Sequence, residues 1–562
     1  MIPRGRPSAL AGGVPAGADA TDRHRPVQLV ATFCEKFSLE IVLLLLAFSA
    51  RAVTAYRADL HADEVYDLFA ARMIYDHGVP VFPSGMLWPA GGALTYLEAP
   101  FVGLAGVLSH WGRTPSVICS TLSVVALYWF GREMFGRAVA LAGAVAWAVD
   151  PEAVLWGAYA RQYSLHPLLL FATLYLVRRA ALMGCSEGSG PIAAAAFTMT
   201  LWVQPPTIFY APALVLSYLV WARRFDFRAL VLSCLVAIAG VAAVWFYVSL
   251  GDPGLIESAA VEGGPIVLPS LAGLGPWSLV QRYWPFLTSF PHRTLLMTVS
   301  AVSAAAAIWA LVVSLRTGQP FDQRRRDVLA LSGFTLFAVA GLNFFRYGQP
   351  GYALALLGPL FLLGAQGLSA FDWAPPIVAP RSIRDVAAVN LGNAFAVVVI
   401  ALLMSLALGE LRRNARPGTG DGQMDAYLHI GRSWQPGDAM LNANITAWVV
   451  AAGRDPHFYY LCVDTCGLGL QRKGSVYVNR FLGSPQIRTA AEVERILDTH
   501  RRVWFAVKQS DWDNDLRLPP AIRNVISERM KIVFKQDVAT VFLGSNDKTT
   551  EIHRSAPIES GE

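Results

Sequence analysis

Apolar runs recur along this chain at roughly 38–56, 115–130, 138–150, 164–177, 191–204, 207–222, 228–250, 294–315, 327–343, 351–369 and 387–408. A helix needs ~20 predominantly apolar residues to cross a bilayer core. Several of these runs are shorter, so their boundaries are loose. Charged residues make up 15% of the 562 positions, against about 25% in soluble domains. Mean hydropathy is +0.42. These features predict a multi-pass α-helical membrane protein with about eleven transmembrane helices.

Basic residues orient the helices. One set of connections carries Arg132, Arg137, Arg178, Arg179, Arg223, Arg224, Arg228, Arg316, Arg324, Arg325, Arg326, Arg381 and Arg384, in register with Arg4, Arg6, Arg23, Arg25 and Lys36 of the N-terminal tail. The alternate connections hold Arg57, Arg72, Arg113, Arg161, Arg282, Arg293 and Arg346, spread over longer loops. Because Lys and Arg gather on the cytoplasmic side, the N-terminus is expected in the cytoplasm and the C-terminus outside. Counting Leu94–Trp111 as a further span would send the Arg clusters outward. That segment is therefore read as a helix at the outer interface, with a twelfth span as the alternative. Net charge is only +6, and no basic, aromatic-interleaved patch argues for nucleic acid.

Residues 1–36 are rich in Ala, Gly, Pro and Arg and read as a disordered cytoplasmic tail. Residues 37–409 form the membrane domain. Beyond that the composition turns polar, and residues 410–562 read as an extracytoplasmic α/β domain. Its expected helices are Met424–Trp434, Ala490–Thr499 and Ala521–Met530, with strands at Asp438–Asn442, Val503–Lys508, Ile532–Lys535 and Thr540–Leu543. It shows no GxGxxG or Walker loop. Cys462 and Cys466 are either a disulfide or two free thiols.

The chemistry gathers in the outer connections. Just past the first span stands Arg57-Ala-Asp59-Leu-His61-Ala-Asp63-Glu64-Val-Tyr66-Asp67. Carboxylates there can take a proton from a hydroxyl or amine or hold a divalent metal. They can equally just start the helix that follows, since acids favour its first turn. Arg161, in Tyr159-Ala-Arg161-Gln162-Tyr163, has a planar fork suited to phosphate oxygens, or is a snorkelling arginine. Arg346-Tyr347 repeats the pattern at another outer end. An acid cluster and two cations on one side of the membrane suit transfer from a lipid phosphate.

These segments resemble the GT-C glycosyltransferases, in particular the branch of protein O-mannosyltransferases and lipid A aminoarabinose transferases. His61-Ala-Asp63-Glu64 is similar to the Asp-Glu motif of that family's first outer loop. Tyr96-Leu-Glu98-Ala-Pro100, Gly131-Arg-Glu-Met-Phe-Gly136, Ala160-Arg161-Gln-Tyr163-Ser-Leu165 and Arg346-Tyr347-Gly-Gln-Pro350 also fit, in order, over residues 38–370. The resemblance implies an inverting membrane enzyme that passes a sugar from a polyprenyl-phosphate-linked donor to an extracytoplasmic acceptor. Asp63 then sits at the catalytic carboxylate and Glu64 is the neighbouring acid, structural or acceptor-positioning. Arg161, Arg346 and Tyr347 face the donor phosphate, joined by Arg282 or Arg293 from the loop said to overlie the site. Glu98, Tyr163 and Tyr66 bind acceptor or shape the site. The lysine and second proline of the family's Glu-Lys-Pro-Pro are missing here. No acid follows Arg161 before Glu187, which counts against a metal shared with Glu98. No obligatory metal is expected, and a divalent ion is left open.

Two other readings compete. A polyprenyl-linked sugar flippase or transporter predicts repeat-related halves and mid-span ionisable residues, whereas the ionisable residues here gather at outer ends. A membrane-anchored binding protein would leave Asp63, Arg161 and Arg346 idle. The Arg/Ala/Gly-rich composition fits a bacterial cytoplasmic membrane. Sugar and acceptor are not written in the sequence.

Overall fold

The computed structural model describes residues 25–251, 283–342, 350–370 and 424–546, apart from 59, 89–91, 108, 184–188, 223–226, 319–320, 443–456, 462–469, 474–475, 480, 516–517 and 537–538. The last apolar run, 387–408, and both Cys462 and Cys466 lie outside these residues. Each of the other ten runs falls on helix. In order these are α1 (Arg25–Arg57), α2 (Ala62–His77), α3 (Gly92–Ala105), α4 (Thr114–Phe135), α5 (Arg137–Val149), α6 (Pro151–Ala158) and α7 (Leu165–Met183). They continue with α8 (Ser189–Val203), α9 (Ala211–Trp221), α10 (Phe227–Gly251), α11 (Pro291–Thr317), α12 (Gln323–Leu342) and α13 (Leu357–Ala370). Helix α1 begins at Arg25, within the stretch expected as tail. The stretch from Pro26 to Cys34 is largely apolar and extends the first helix backwards.

Among the described residues four segments are long and apolar enough to cross a membrane: His110–Phe135, Leu165–Met183, Pro291–Thr317 and Gly351–Ser369. A fifth arises if α5 and α6, bent by 61°, make one broken span. The eleven expected crossings are thus not all helices of crossing length. Helix α5 has 13 residues, only about 20 Å of rise. The Leu94–Trp111 segment is no straight span either. Helix α3 ends at Ala105, Gly106 follows at φ +87°, and a 3₁₀ turn covers His110–Arg113.

Helix α4 packs against α1, α5 and α7, α8 against α7 and α10, and α12 against α9. Trp147, Phe171, Tyr210, Trp221 and Phe361 fill the core between them. Arg51 is buried in α1, yet well supplied with acceptors. Its Nε donates to Ser120 Oγ at 2.6 Å and its Nη1 to the Ala148 carbonyl at 3.0 Å. The negative end of α5 thereby receives a cation.

The polar C-terminal region contains α14 (Met424–Ser433), β1 (Ala439–Asn442), β2 (His457–Leu461), β3 (Leu470–Lys473), β4 (Val476–Asn479), β5 (Gln486–Ile487), α15 (Ala490–Thr499), β6 (Arg502–Lys508), α16 (Pro520–Arg529), β7 (Lys531–Lys535) and β8 (Ala539–Ser545). Six strands form a sheet in the order β5-β2-β1-β6-β8-β7, and β3 and β4 make a separate ribbon. Strands β5, β2, β1 and β6 run parallel, and β8 is antiparallel to both its neighbours. Alternation sorts the strand side chains onto two covered faces. Leu441, Val503, Phe505 and Val507 meet α15 and α16, while Met440, Trp504, Ala506 and Val541 meet α14.

Candidate functional site

Helix α2 starts on a capping box. His61 Nδ1 accepts from the Asp63 amide at 3.2 Å, and Glu64 Oε2 accepts from the His61 amide at 3.1 Å. Gly78, at φ +79°, ends the helix in the left-handed conformation. Helical spacing then separates the acids. Asp63, in the first turn, keeps 42% of its side chain exposed. Glu64 and Asp67 turn inward and are buried.

Glu64 is fully engaged. Arg113, itself buried, reaches it through Nε at 2.6 Å and Nη2 at 2.8 Å, and the Ala160 amide donates to Oε1 at 2.7 Å. Arg113 Nη1 also donates to the carbonyls of Ala55 and Ala58 at 2.6 and 2.7 Å. One ion pair thus ties the end of α1, the start of α2, the turn before α4 and the Arg161 loop. Both Glu64 oxygens thus accept from donors within the fold, the arrangement of a structural acid beside Asp63.

Arg161 lies over the first turn of α2. Its Nη1 donates to the Asp63 carbonyl and to Asp67 Oδ2, both at 3.0 Å, and its Nη2 stands 3.7 Å from Asp63 Oδ2. Its Nε is buried with no hydrogen-bond partner. Trp88 Nε1 donates to the other Asp67 oxygen at 2.7 Å. Burial pushes the Asp67 carboxyl up to about 6, against the pull of Arg161 and the Trp88 bond.

Glu98, on α3, is buried and receives Ser116 Oγ at 3.3 Å, while its second oxygen has no partner. Burial and the nearby charges of Asp67 and Glu64 push it well above the usual carboxylate range. Thr95, one turn earlier, and Gln162 also bury oxygens without partners. Tyr163 is buried beneath the Arg161 guanidinium, 5.7 Å from its ring centre, and packs edge-on against Trp156 at 4.9 Å. Tyr352 approaches Tyr163 at 6.2 Å between ring centres.

The structure therefore brings together Asp63, Glu64, Arg161 and Tyr163, with Glu98 within electrostatic reach of Arg161. Tyr66 stacks on Trp88 at 5.8 Å between ring centres. Arg293 is paired away from these four residues. It is buried on α11, where Asp150 accepts from Nη2 at 2.6 Å and from Nε at 2.7 Å, and the Phe286 carbonyl and Ser289 hydroxyl accept from Nη1. Arg282, Arg346 and Tyr347 lie outside the described residues. Sequence reasoning missed Asp67 as a partner of Arg161, together with Trp88 and Arg113. The signal for Asp67 was its i, i+4 spacing from Asp63, which puts both on the side facing Arg161. Among the described residues, no group of three or more His, Cys, Asp or Glu is arranged to hold a metal ion.

Residues 93–247 match the family model described as dolichyl-phosphate-mannose-protein mannosyltransferase. No curated protein matches the sequence. Among solved structures, the chain is similar to apo ArnT from Cupriavidus metallidurans, with a TM-score of 0.59 at 12% identity over 91% of this chain and 98% of that one. The same protein bound to undecaprenyl phosphate gives 0.55 at 13% identity, over 90% and 97%. The archaeal oligosaccharyltransferase AglB from Archaeoglobus fulgidus, in complex with an inhibitory peptide and a dolichol-phosphate, gives 0.51 at 12% identity, over 94% and 75%. At such identities the likeness is one of fold, and it extends along nearly the whole chain. The family model covers less than half of the chain, so what the comparisons show is a likeness of fold to these membrane-enzyme structures together with a partial family match.

Proposed function

We propose that this chain is an inverting glycosyltransferase that moves a sugar from a polyprenyl-phosphate-linked donor to an acceptor outside the cytoplasm, with Asp63 as general base. The observation that carries the reading is the sorting of three acids on α2. Glu64 and Asp67 are buried and bonded, whereas Asp63 is half-exposed beside a buried Arg161 whose Nε lacks a partner. An acceptor O–H or N–H attacks the anomeric carbon opposite the phosphate as Asp63 takes the proton. The carbon–oxygen bond to phosphate breaks, and the electron pair leaves with the lipid phosphate. Arg161 stabilises the charge that grows there.

Support for the donor class comes from the solved relatives, which include complexes with undecaprenyl phosphate and dolichol-phosphate. Arg346 and Tyr347 are assigned to the same phosphate by their motif. Arg282 is a further candidate there. Glu98, Thr95 and Gln162 offer buried polar atoms for the acceptor, and Glu64 and Tyr163 hold the site in shape. The proposed topology is eleven crossings of a bacterial cytoplasmic membrane, with the N-terminus inside and an α/β C-terminal domain outside.

Mass spectrometry of envelope glycolipids and glycans tests this in cells lacking the protein, complemented with wild type or Asp63→Asn. One sugar mass should vanish on deletion and return only with wild type. Full rescue by Asp63→Asn would remove Asp63 as the base. A lipid-linked sugar accumulating on the inner leaflet, with no transfer product lost, would favour the flippase.

A further inference from the structure

A turn of the C-terminal region reaches into the membrane domain next to the site. Asn479 Oδ1 accepts from the amides of Phe481 and Leu482, both at 3.0 Å, and Gly483 closes the turn at φ +70°. The turn is therefore built locally, with Phe481 at its tip. The Phe481 carbonyl accepts from the Ser84 amide at 3.1 Å. Its ring lies 4.8 Å from Tyr66, 5.6 Å from Phe82 and 6.0 Å from Trp88. Such centroid separations are those of attractive aromatic contacts. The cup is itself braced. The Trp88 amide donates to the Pro80 carbonyl at 2.8 Å, the Phe82 amide to the Met86 carbonyl at 2.8 Å, and Phe69 of α2 supports Phe82.

Trp88 is at once a wall of this cup and a hydrogen-bond donor to Asp67, and Asp67 is the buried counter-ion of Arg161. We propose that Phe481 is a positioning residue: seated between Tyr66, Phe82 and Trp88, it holds the Trp88 indole on Asp67 and so keeps Arg161 over Asp63. The part concerning catalysis rests on the transferase reading. Without the Phe481 ring a void opens beside Trp88, the indole regains rotamer freedom, and Asp67 loses one of its two side-chain donors. Arg161, Asp63 and Glu98 are the charged or titratable groups around Asp67. Of these, Arg161 opposes the upward push of burial, as the Trp88 bond does. Losing that bond raises the pH at which Asp67 gives up its proton.

The test uses the full chain in nanodiscs as wild type, Phe481→Ala and Phe481→Leu. Hydrogen–deuterium exchange is read over residues 80–88 and 159–163, and sugar transfer is followed against pH. Phe481→Ala should raise exchange over 80–88 while leaving 490–545 protected. It should also lower the transfer rate about tenfold and move the acid limb of the pH profile up by about one unit. Phe481→Leu should restore most of each. Unchanged exchange over 80–88 in Phe481→Ala overturns the proposal. So does a lower rate with an unshifted acid limb, because Phe481 would then be structural only. If wild type transfers no sugar at all, the transferase reading falls, and the exchange arm alone decides whether Phe481 braces Trp88.

Discussion

Asp63, Glu64 and Asp67 share one helix and meet three environments. Glu64 faces Arg113 in a fully buried, bidentate pair, and removing one partner of such a pair strands the other charge. Glu64→Gln should cost about 3 kcal/mol, visible as a lower melting temperature in purified protein. Asp63→Asn should leave the melting temperature unchanged and reduce transfer by about 10²–10⁴-fold. Asp67 sets a pH limit. Its carboxyl, pushed up to about 6 by burial, loses its charge as pH falls through that value and leaves Arg161 without its counter-ion. Transfer should therefore fall on the acid side near pH 6, and Asp67→Asn should abolish that limb along with most of the activity. The motif His61-Ala-Asp63-Glu64 was legible in the sequence, but the sorting of its acids was not. Exposure here depends on Arg113 and Arg161, brought in by distant parts of the chain.

At the scale of elements, the bend between α5 and α6 is built by one carboxylate. Asp150 Oδ1 caps α6 by accepting from the amides of Glu152 and Ala153 at 3.2 and 2.9 Å, and Pro151 follows it. The same carboxylate binds Arg293, and His292 Nε2 lies 3.0 Å from Oδ2. Helix α6 leads directly into Arg161, so this bend supports the site from behind. Arg293→Met should destabilise the protein by about 3–5 kcal/mol and increase proteolysis near residues 150–163, measured by limited digestion. Helix positions were readable from apolar periodicity, and the ends of α15 matched at both residues. The pairing of Arg293 with Asp150 was not foreseen because a basic residue at a span end has the same signature whether it waits for a ligand or is paired with an acid far away in sequence. Arg51 escaped notice for a related reason: its acceptors are a serine hydroxyl and backbone carbonyls, and neither marks a cation's partner in a sequence.

For the whole molecule, the seam between the C-terminal region and the membrane domain is what the sequence concealed. Among the described residues beyond 420, three helices and four of the eight strands were foreseen one by one, because each is amphipathic or alternating on its own, whereas β2 to β5 were not. The Phe481 turn carries no such periodicity, and an aromatic in a polar loop reads as ordinary. The seam makes a geometric prediction. A Cβ placed on Gly483 lies 3.8 Å from the Ser84 Cβ, within the span of a disulfide. The double variant Ser84→Cys, Gly483→Cys should cross-link under mild oxidation, detected as a linked peptide pair by mass spectrometry.

The Phe481 contact also bears on the order in which the protein is made. A ribosome releases Phe481 only after the helices that build the site have emerged, and regions fold broadly from the N-terminus onward during synthesis. Through that interval the cup of Tyr66, Phe82 and Trp88 waits empty and Asp67 is less firmly held. On the transferase reading proposed above, the nascent chain carries an unfinished site into the bilayer, and until Phe481 is seated that site works about tenfold more slowly.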